Sequence, residues 1–457
     1  MPRKLFWIAA SCILALLALL PVFSSGASPV AIASKQPAAK ETLIYSFQGG
    51  TDGADPGPLT FDAAGNLYGA TARGGIGTGC GGGPCGTVFE LERTGDSWTK
   101  RTLYSFHGGN DGGWPSAGVI FDDSGNLYGT TSIGGSEDAG TVFKLAPNSK
   151  GEWTHHVIYT FSSYGGAGGS PRTDLAFDNR GNLYGTTSNG GNGAGCFGDN
   201  GCGAVFKLTP HADGSWTETT LHNFAPPPDG GNPSSGVIFD SAGNLYGMTE
   251  YGGTGLCRPF SDLAFTNLNC GVVYKLTPPK SGGSWTESIV YNFVRGSGHG
   301  VYPSGGLLFD KAGDLFGTSR AGGNGYGTIF ELHSQQDGRW RESDPHLFYG
   351  KPDGREASMQ VESVLGSLVM DEKGDLFGVN SWGGVNYNGV VFELQRLNDG
   401  WRLRILYAFP NDSGDNFNVK TGLVRDSQGH LYGTTASGGT GAACNALGCG
   451  TVYEITP

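Results

Sequence analysis

Residues 119–131 read Val-Ile-Phe-Asp-Asp-Ser-Gly-Asn-Leu-Tyr-Gly-Thr-Thr, and the fold follows from how this text returns along the chain. Val119–Phe121 and Leu127–Thr131 are β-branched and aromatic runs, and the Asp-Asp-Ser-Gly-Asn between them is turn chemistry. The Gly-Asn-Leu-Tyr-Gly core stands at 65–69, 125–129, 181–185 and 243–247, with variants at 313–317, 374–378 and 429–433. These seven copies are separated by 60, 56, 62, 70, 61 and 55 residues. A second element, Gly-Thr-Val-Phe-Glu-Leu at 86–91, also occurs seven times. A third joins a Trp to an apolar run, as in Trp98 to Phe106, and recurs from Trp153, Trp216, Trp285, Trp340 and Trp401. Each unit therefore reads as four strands, a to d, and sustained helical periodicity is missing. The Gly- and Pro-free segment Arg355–Leu365 is the one place where a helical turn is expected.

Four antiparallel strands repeated seven times predict an all-β, seven-bladed β-propeller over residues 41–457. Only six copies of strand d follow a repeat, but Glu41–Phe47 matches the Leu103–Phe106 text and precedes the first one. The last repeat stops at strand c, so the N-terminal strand is expected to complete the seventh blade and remove its exposed edge. A β-solenoid would use shorter coils and would not need a complementary terminus.

Composition narrows the class. The 457 residues include 82 Gly and 23 Pro, yet 11% are aromatic, which a disordered chain rarely carries. Net charge is −12, 15% of residues are charged, and no cationic stripe is present, so a nucleic-acid partner is not expected. Coiled-coil and polytopic membrane classes are excluded as well. At the N-terminus, Arg3 and Lys4 precede an apolar run from Leu5 to Phe23, and small residues lead to Ala27, with Ala33 as a second cleavage candidate. Residues 1–27 are read as a signal peptide and 28–40 as a linker, giving a secreted or periplasmic/extracellular protein whose mature chain has no transmembrane segment. An uncleaved anchor is the rival reading, which Pro21 disfavours.

The ordered text FDxxGNLYGTT…GG…GTVF resembles the GloVer tandem-repeat family of exported bacterial proteins, and the likeness covers nearly all of 41–457. Its GNLY part is also similar to NHL-type propeller repeats. The resemblance implies an extracellular repeat protein and carries no established biochemical role with it.

Apart from Cys12, the cysteines fall as Cys80/Cys85, Cys196/Cys202, Cys257/Cys270 and Cys444/Cys449. Every pair lies between strands b and c of one repeat, and the other repeats have none there. Pairing within each loop is the scheme in which cysteines come and go together, and an oxidising compartment lets such bonds persist. Metal ligation is the alternative, but the spacings are not CxxC and no His clusters nearby.

The b–c and d–a loops should share one face and vary in length, whereas the a–b turns are short hairpins. Eight positions after the first Gly of each Gly-Asn-Leu-Tyr-Gly element stand Arg73, Ile133, Asn189, Tyr251, Ala321, Trp382 and Ser437. If the strand register is right, they ring the loop face. Trp114 and Trp382 depart from the repeat, whereas the six strand-d Trp residues are expected to be packing anchors. Trp382, Tyr251, Trp114, Arg73 and Asn189 are thus the candidate ligand contacts, since aromatic faces suit sugar rings and Arg suits carboxylates. The bland reading is that they pack their own loops.

No HExxH motif, nucleophile elbow or Walker loop is present, and Gly75–Gly79 lies between strands with no helix to receive a phosphate. No cofactor and no metal are expected. His107, His222 and His299 fall in different repeats, and Asp111, Asp353, Glu356 and Asp415 are scattered loop acids. Two function classes stay open. One is a secreted recognition or scaffold module for a glycan, envelope polymer or protein. The other is a propeller hydrolase or lyase acting on an extracellular polysaccharide or lactone, which would need convergent acids at the channel mouth.

Overall fold

The computed structural model describes residues 39–162, 168–191, 196, 201–257, 269–296, 299–322, 326–348, 366–381, 384, 388–410, 417–419, 421–444 and 448–457. The signal peptide, almost all of the linker, the Arg355–Leu365 segment, Trp382, Asp353, Glu356 and Asp415 lie outside the described residues. Among those described, seven antiparallel sheets follow one another along the chain. In blade 2, strands a to d are Ile120–Phe121, Leu127–Thr131, Thr141–Pro147 and Trp153–Thr160. This is the expected seven-bladed propeller, and all four strands lie where the repeat text put them.

The ring closes as expected. Lys40–Ser46 pairs with Thr451–Thr456 from Lys40↔Thr456 to Ser46↔Thr451, with one register shift between Leu43 and Tyr45, and so supplies strand d of blade 7.

The core lies between blades, because a four-stranded sheet buries its faces against its neighbours. At each of the seven seams, the Phe that ends strand d meets an aromatic of the next blade's strand c edge to face. The pairs are Phe47–Phe89, Phe106–Phe143, Phe161–Phe206, Phe224–Tyr274, Phe293–Phe330, Phe348–Phe392 and Phe409–Tyr453, with centroids 5.0–5.7 Å apart. The strand-d Trp residues are packing anchors, as expected. Trp153 and Trp216, for example, pack on Tyr68 and Tyr128 of the preceding blades.

A second seam contact uses glycine. Gly203 precedes strand c of blade 3 at φ +88°, and a Cβ there would lie 2.6 Å from Pro233 of blade 4. Gly86, Gly140, Gly271 and Gly450 meet Pro115, Pro171, Pro303 and Pro56 in the same way. Only glycine supplies both the positive φ and the clearance.

The a–b turns are hairpins held by their Asp. In blade 3, Asp178 Oδ1 accepts from the Arg180 and Asn182 N–H groups at 2.9 Å, and Oδ2 accepts from Asn182 Nδ2 at 2.7 Å and Tyr184 OH at 3.0 Å. Partial burial opposes the Asp178 charge, but these hydrogen bonds outweigh it and hold the carboxyl below its usual range.

Candidate functional site at the loop face and channel mouth

The four cysteine pairs are disulfides within single b–c loops, Cys80–Cys85, Cys196–Cys202, Cys257–Cys270 and Cys444–Cys449, with Cα atoms 5.0–5.3 Å apart. Their placement has a purpose that spacing alone does not reveal. The second cysteine of each pair immediately precedes a seam glycine, and its carbonyl accepts a backbone N–H from the next blade. The donors are Trp114 to Cys85, Asn232 to Cys202, Tyr302 to Cys270 and Asp55 to Cys449, at 2.8–3.0 Å. In blade 2, which lacks a disulfide, Ala139 takes this role toward Ser170.

Those five donors form a set. Asp55, Trp114, Ser170, Asn232 and Tyr302 each precede a Pro, and all are non-glycine residues at φ +55° to +58°. Such a conformation costs on the order of 1–3 kcal/mol, so the left-handed residue in each of blades 1 to 5 persists because the seam hydrogen bond and the adjoining Pro hold it. Trp114 is therefore a framework position in its backbone, while its side chain stays 41% exposed.

Six of the seven positions, all but Trp382, have a strand partner among the described residues. Arg73 pairs with Ala54, Ile133 with Gly113, Asn189 with Gly169, Tyr251 with Gly231, Ala321 with Val301 and Ser437 with Phe417. Each is the end of strand b against the start of strand a in its own blade. Arg73 and Asn189 are exposed, whereas Ala321 is buried. Tyr251 is half-buried, edge to face with Tyr302 of the next blade at 5.7 Å, and its OH donates to Glu250 at 2.8 Å. The arrangement spreads Arg73, Trp114, Asn189 and Tyr251 over four successive blades rather than gathering them into one contact.

One position earlier lies a group that sequence reasoning missed. Glu250 and Arg320 are repeat equivalents on blades 4 and 5, where blades 1 to 3 have Ala72, Ser132 and Ser188. Arg320 bonds Glu250 at 2.6 Å, and Asn232 Nδ2 donates to the same carboxylate at 2.9 Å. Asn232, Glu250, Tyr251, Tyr302 and Arg320 thus form one polar and aromatic cluster across a seam. The signal available was the run of X-Pro pairs in repeat register, with Asn232-Pro233 and Tyr302-Pro303 among them.

Inside the ring, the strand-a segments of all seven blades line a cavity of about 630 Å³. Its wall is mostly Gly, Ser, Thr and Pro. Asp174 stands where other blades have Gly118, Gly236, Gly306 and Gly422, and Arg172 stands where they have Ser116, Ser234 and Ser304. Asp174 is exposed to the channel, and its Oδ1 accepts the Gly118 N–H at 2.7 Å.

Among the described residues, two groups of one His and two carboxylates bring their ligand atoms within 4.8 Å of one another. His299, Glu342 and Asp344 meet at the seam of blades 4 and 5, where burial first and the Glu342 charge second push Asp344 up to about 7. Asp314, Glu331 and His333 meet within blade 5 on the turn side, where Arg396 pairs with Glu331 at 3.5 Å.

A family model, the Gloeobacter/Verrucomicrobia repeat, matches residues 30–258 and 264–457. The chain belongs to this repeat family. In this chain the repeat is the blade unit described above, with its turn aspartates, seam glycines and seam aromatics. No curated protein matches the chain. Among solved structures, it is similar to the extracellular domain of BT4673 from B. thetaiotaomicron, at 12% identity and a TM-score of 0.52, over 91% of this chain and 40% of that one. It is also similar to PorZ, a surface component of the type-IX secretion system of Porphyromonas gingivalis, at 16% identity and a TM-score of 0.50, over 90% and 48%. At such identities the likeness concerns the fold, and this chain spans less than half the length of either protein. No helix among the described residues is long and apolar enough to cross a membrane.

Proposed function

We propose that this propeller is an exported recognition module, whose loop face binds an extracellular glycan, envelope polymer or protein. One observation carries the reading: departures from the repeat concentrate around the loop face and channel. Framework residues recur because folding requires them, whereas Trp114, Arg73, Asn189, the Asn232–Glu250–Tyr251–Arg320 cluster and Asp174 do not recur. Half-exposed aromatic rings beside planar amide, carboxylate and guanidinium groups suit a polyhydroxylated ligand, which offers both apolar ring faces and hydroxyl groups. Export is supported by the four disulfides and by the charged and apolar text of residues 1–27, and the two structural relatives named above are surface or extracellular proteins. Trp382 joins the contact set on repeat position alone.

A glycan-array screen of the purified mature protein tests this reading. For a bound glycan, Trp114→Ala and Tyr251→Ala should each weaken affinity several-fold and leave the melting temperature nearly unchanged, whereas Trp216→Ala should lower stability first. Unchanged affinity in a folded Trp114→Ala/Tyr251→Ala/Trp382→Ala protein places recognition elsewhere. Asp174 and Arg172, which place a carboxyl and a guanidinium in the channel wall, favour a second reading, an acid-assisted hydrolase or lyase. Product release from the bound glycan that Asp174→Asn abolishes would decide for it.

A further inference from the structure

The seams are built alike, so each is an internal control for the others. At the seam of blades 7 and 1, Lys100 stands two residues after its Trp and Thr102 four after. The Lys100 ammonium is 5% exposed. It donates to Asp52 Oδ1 at 2.9 Å, to the Asp52 carbonyl at 2.6 Å and to Thr102 Oγ1 at 2.8 Å. Tyr45 OH donates to the same Asp52 carboxylate at 2.8 Å. A fixed cation is therefore part of that seam's design.

At the seam of blades 4 and 5, the same two positions carry Glu342 and Asp344, and His299 enters from the d–a loop. Tyr291, the equivalent of Tyr45, donates its OH to Glu342 Oε2, whereas Tyr45 donates to the loop acid Asp52. His299 Nδ1 lies 2.8 Å from Glu342 Oε2 and 3.3 Å from Asp344 Oδ2. The cation has thus been exchanged for two carboxylates. Glu342 is 2% exposed and Asp344 11%. Glu342 Oε1 has no hydrogen-bond partner, Asp344 has the Thr328 hydroxyl beside it but its Oδ1 is without a geometric hydrogen bond, and no Lys or Arg pairs with either acid among the described residues. Buried carboxylates in that condition are costly unless a cation meets them.

We infer that His299, Glu342 and Asp344 bind one divalent first-row metal ion, of the Zn²⁺ or Mn²⁺ class, which bridges blades 4 and 5 where Lys100 bridges blades 7 and 1. The three ligand atoms lie within 4.8 Å of one another, and metal bonds of 2.0–2.2 Å in a tetrahedron separate ligands by about 3.4 Å. An imidazole nitrogen with two carboxylates suits Zn²⁺ or Mn²⁺ better than Ca²⁺ or Mg²⁺, which favour all-oxygen sites. The His299 side chain is 45% exposed, so solvent can reach the site and water would complete the shell of a bound ion. The Asp314–Glu331–His333 group differs because Arg396 already supplies its positive charge.

The test is calorimetric titration of ZnCl₂ into the chelator-treated, dialysed full chain, with melting curves recorded alongside. One Zn²⁺ per chain and a higher melting temperature are expected. Glu342→Gln keeps the shape and should weaken binding at least about tenfold, since even groups behind the ligands change metal affinity 10–100-fold. His333→Ala should leave the affinity unchanged. A chain carrying His299→Asp, Glu342→Lys and Asp344→Thr copies the Lys100 seam, and it should fold and melt indifferently to Zn²⁺. Absence of binding by the parent chain would leave protonated His299 as the seam's counter-charge and overturn the inference. So would full affinity in Glu342→Gln, loss of affinity in His333→Ala, or Zn²⁺ binding by the seam copy.

Discussion

Replacing Phe47 by Ala tests whether the terminal strand is part of the ring in solution. Phe47 is fully buried, meets Phe89 of blade 1 at 5.2 Å and Tyr45 at 5.1 Å, and has the Lys100 ammonium 5.8 Å from its ring centroid. Truncating a buried Phe costs about 3–5 kcal/mol through lost transfer energy and the cavity left behind. Unfolding roughly 420 residues at about 2.1 cal/mol/K per residue gives an entropy near 0.9 kcal/mol/K, so the melting temperature should fall by about 3–6 °C. Phe161→Ala makes the same truncation at the seam of blades 2 and 3, where both partners belong to the middle of the chain, and should cost a similar amount. Scanning calorimetry of the two variants beside the parent is the assay. If Phe161→Ala falls as expected and Phe47→Ala moves by less than about 1 °C on the same scale, the Lys40–Ser46 strand is not docked and the closure argument fails.

Non-reducing peptide mapping should recover Cys80–Cys85, Cys196–Cys202, Cys257–Cys270 and Cys444–Cys449. Loss of each bond should cost about 2–3 kcal/mol in the chain-entropy model, and a link between different repeats would contradict the seam assignment. Gly203→Ala forces a Cβ against the Thr187 carbonyl oxygen and Pro233 at positive φ and should destabilise by about 2–3 kcal/mol. Gly243→Ala, with φ +80° and open space around it, should cost only about 1 kcal/mol, and equal losses would remove these close contacts from the explanation. The depressed Asp178 carboxyl stabilises the fold at pH values above the unfolded carboxylate range, and this contribution is lost as pH falls through its folded value. The advantage of the parent chain over Asp178→Asn in melting temperature should accordingly shrink from pH 7 toward pH 3. A difference that grows on acidification would reverse the assignment.

The blade count, the strand order and the closing strand were all legible in the sequence, because one residue pattern serves the same physical task seven times. The local disulfides were legible for a related reason: cysteines that come and go by the pair inside one loop have their partners beside them. The cluster around Glu250 and Arg320 was not. Those residues are 70 positions apart and opposite in charge, so nothing in either repeat alone announces the pair. Their meeting depends on adjacent blades presenting equivalent positions to one another, a relation that appears only once the ring exists. Trp114 was legible as an oddity but not as a left-handed residue, because a positive φ at a non-glycine residue before Pro leaves no trace in residue type. For Tyr251, reading the ring position predicted the place correctly and missed the Tyr302 ring packed against it.

The pairing of Lys40–Ser46 with Thr451–Thr456 also sets a timetable. Six of the sheets are made from chain that emerges together during synthesis, but the seventh joins the earliest described strand to the last. Drawing together segments roughly 410 residues apart costs about 2 kcal/mol more loop entropy than doing so within one 50-residue repeat. Blade 7 is therefore the last to form, and its waiting strands carry open hydrogen-bonding edges until then. A chain interrupted at any blade keeps that edge open permanently. Arrival of Thr451–Thr456 and disappearance of the sticky edge are linked, so molecules without that strand remain distinguishable from closed rings by the surface they expose.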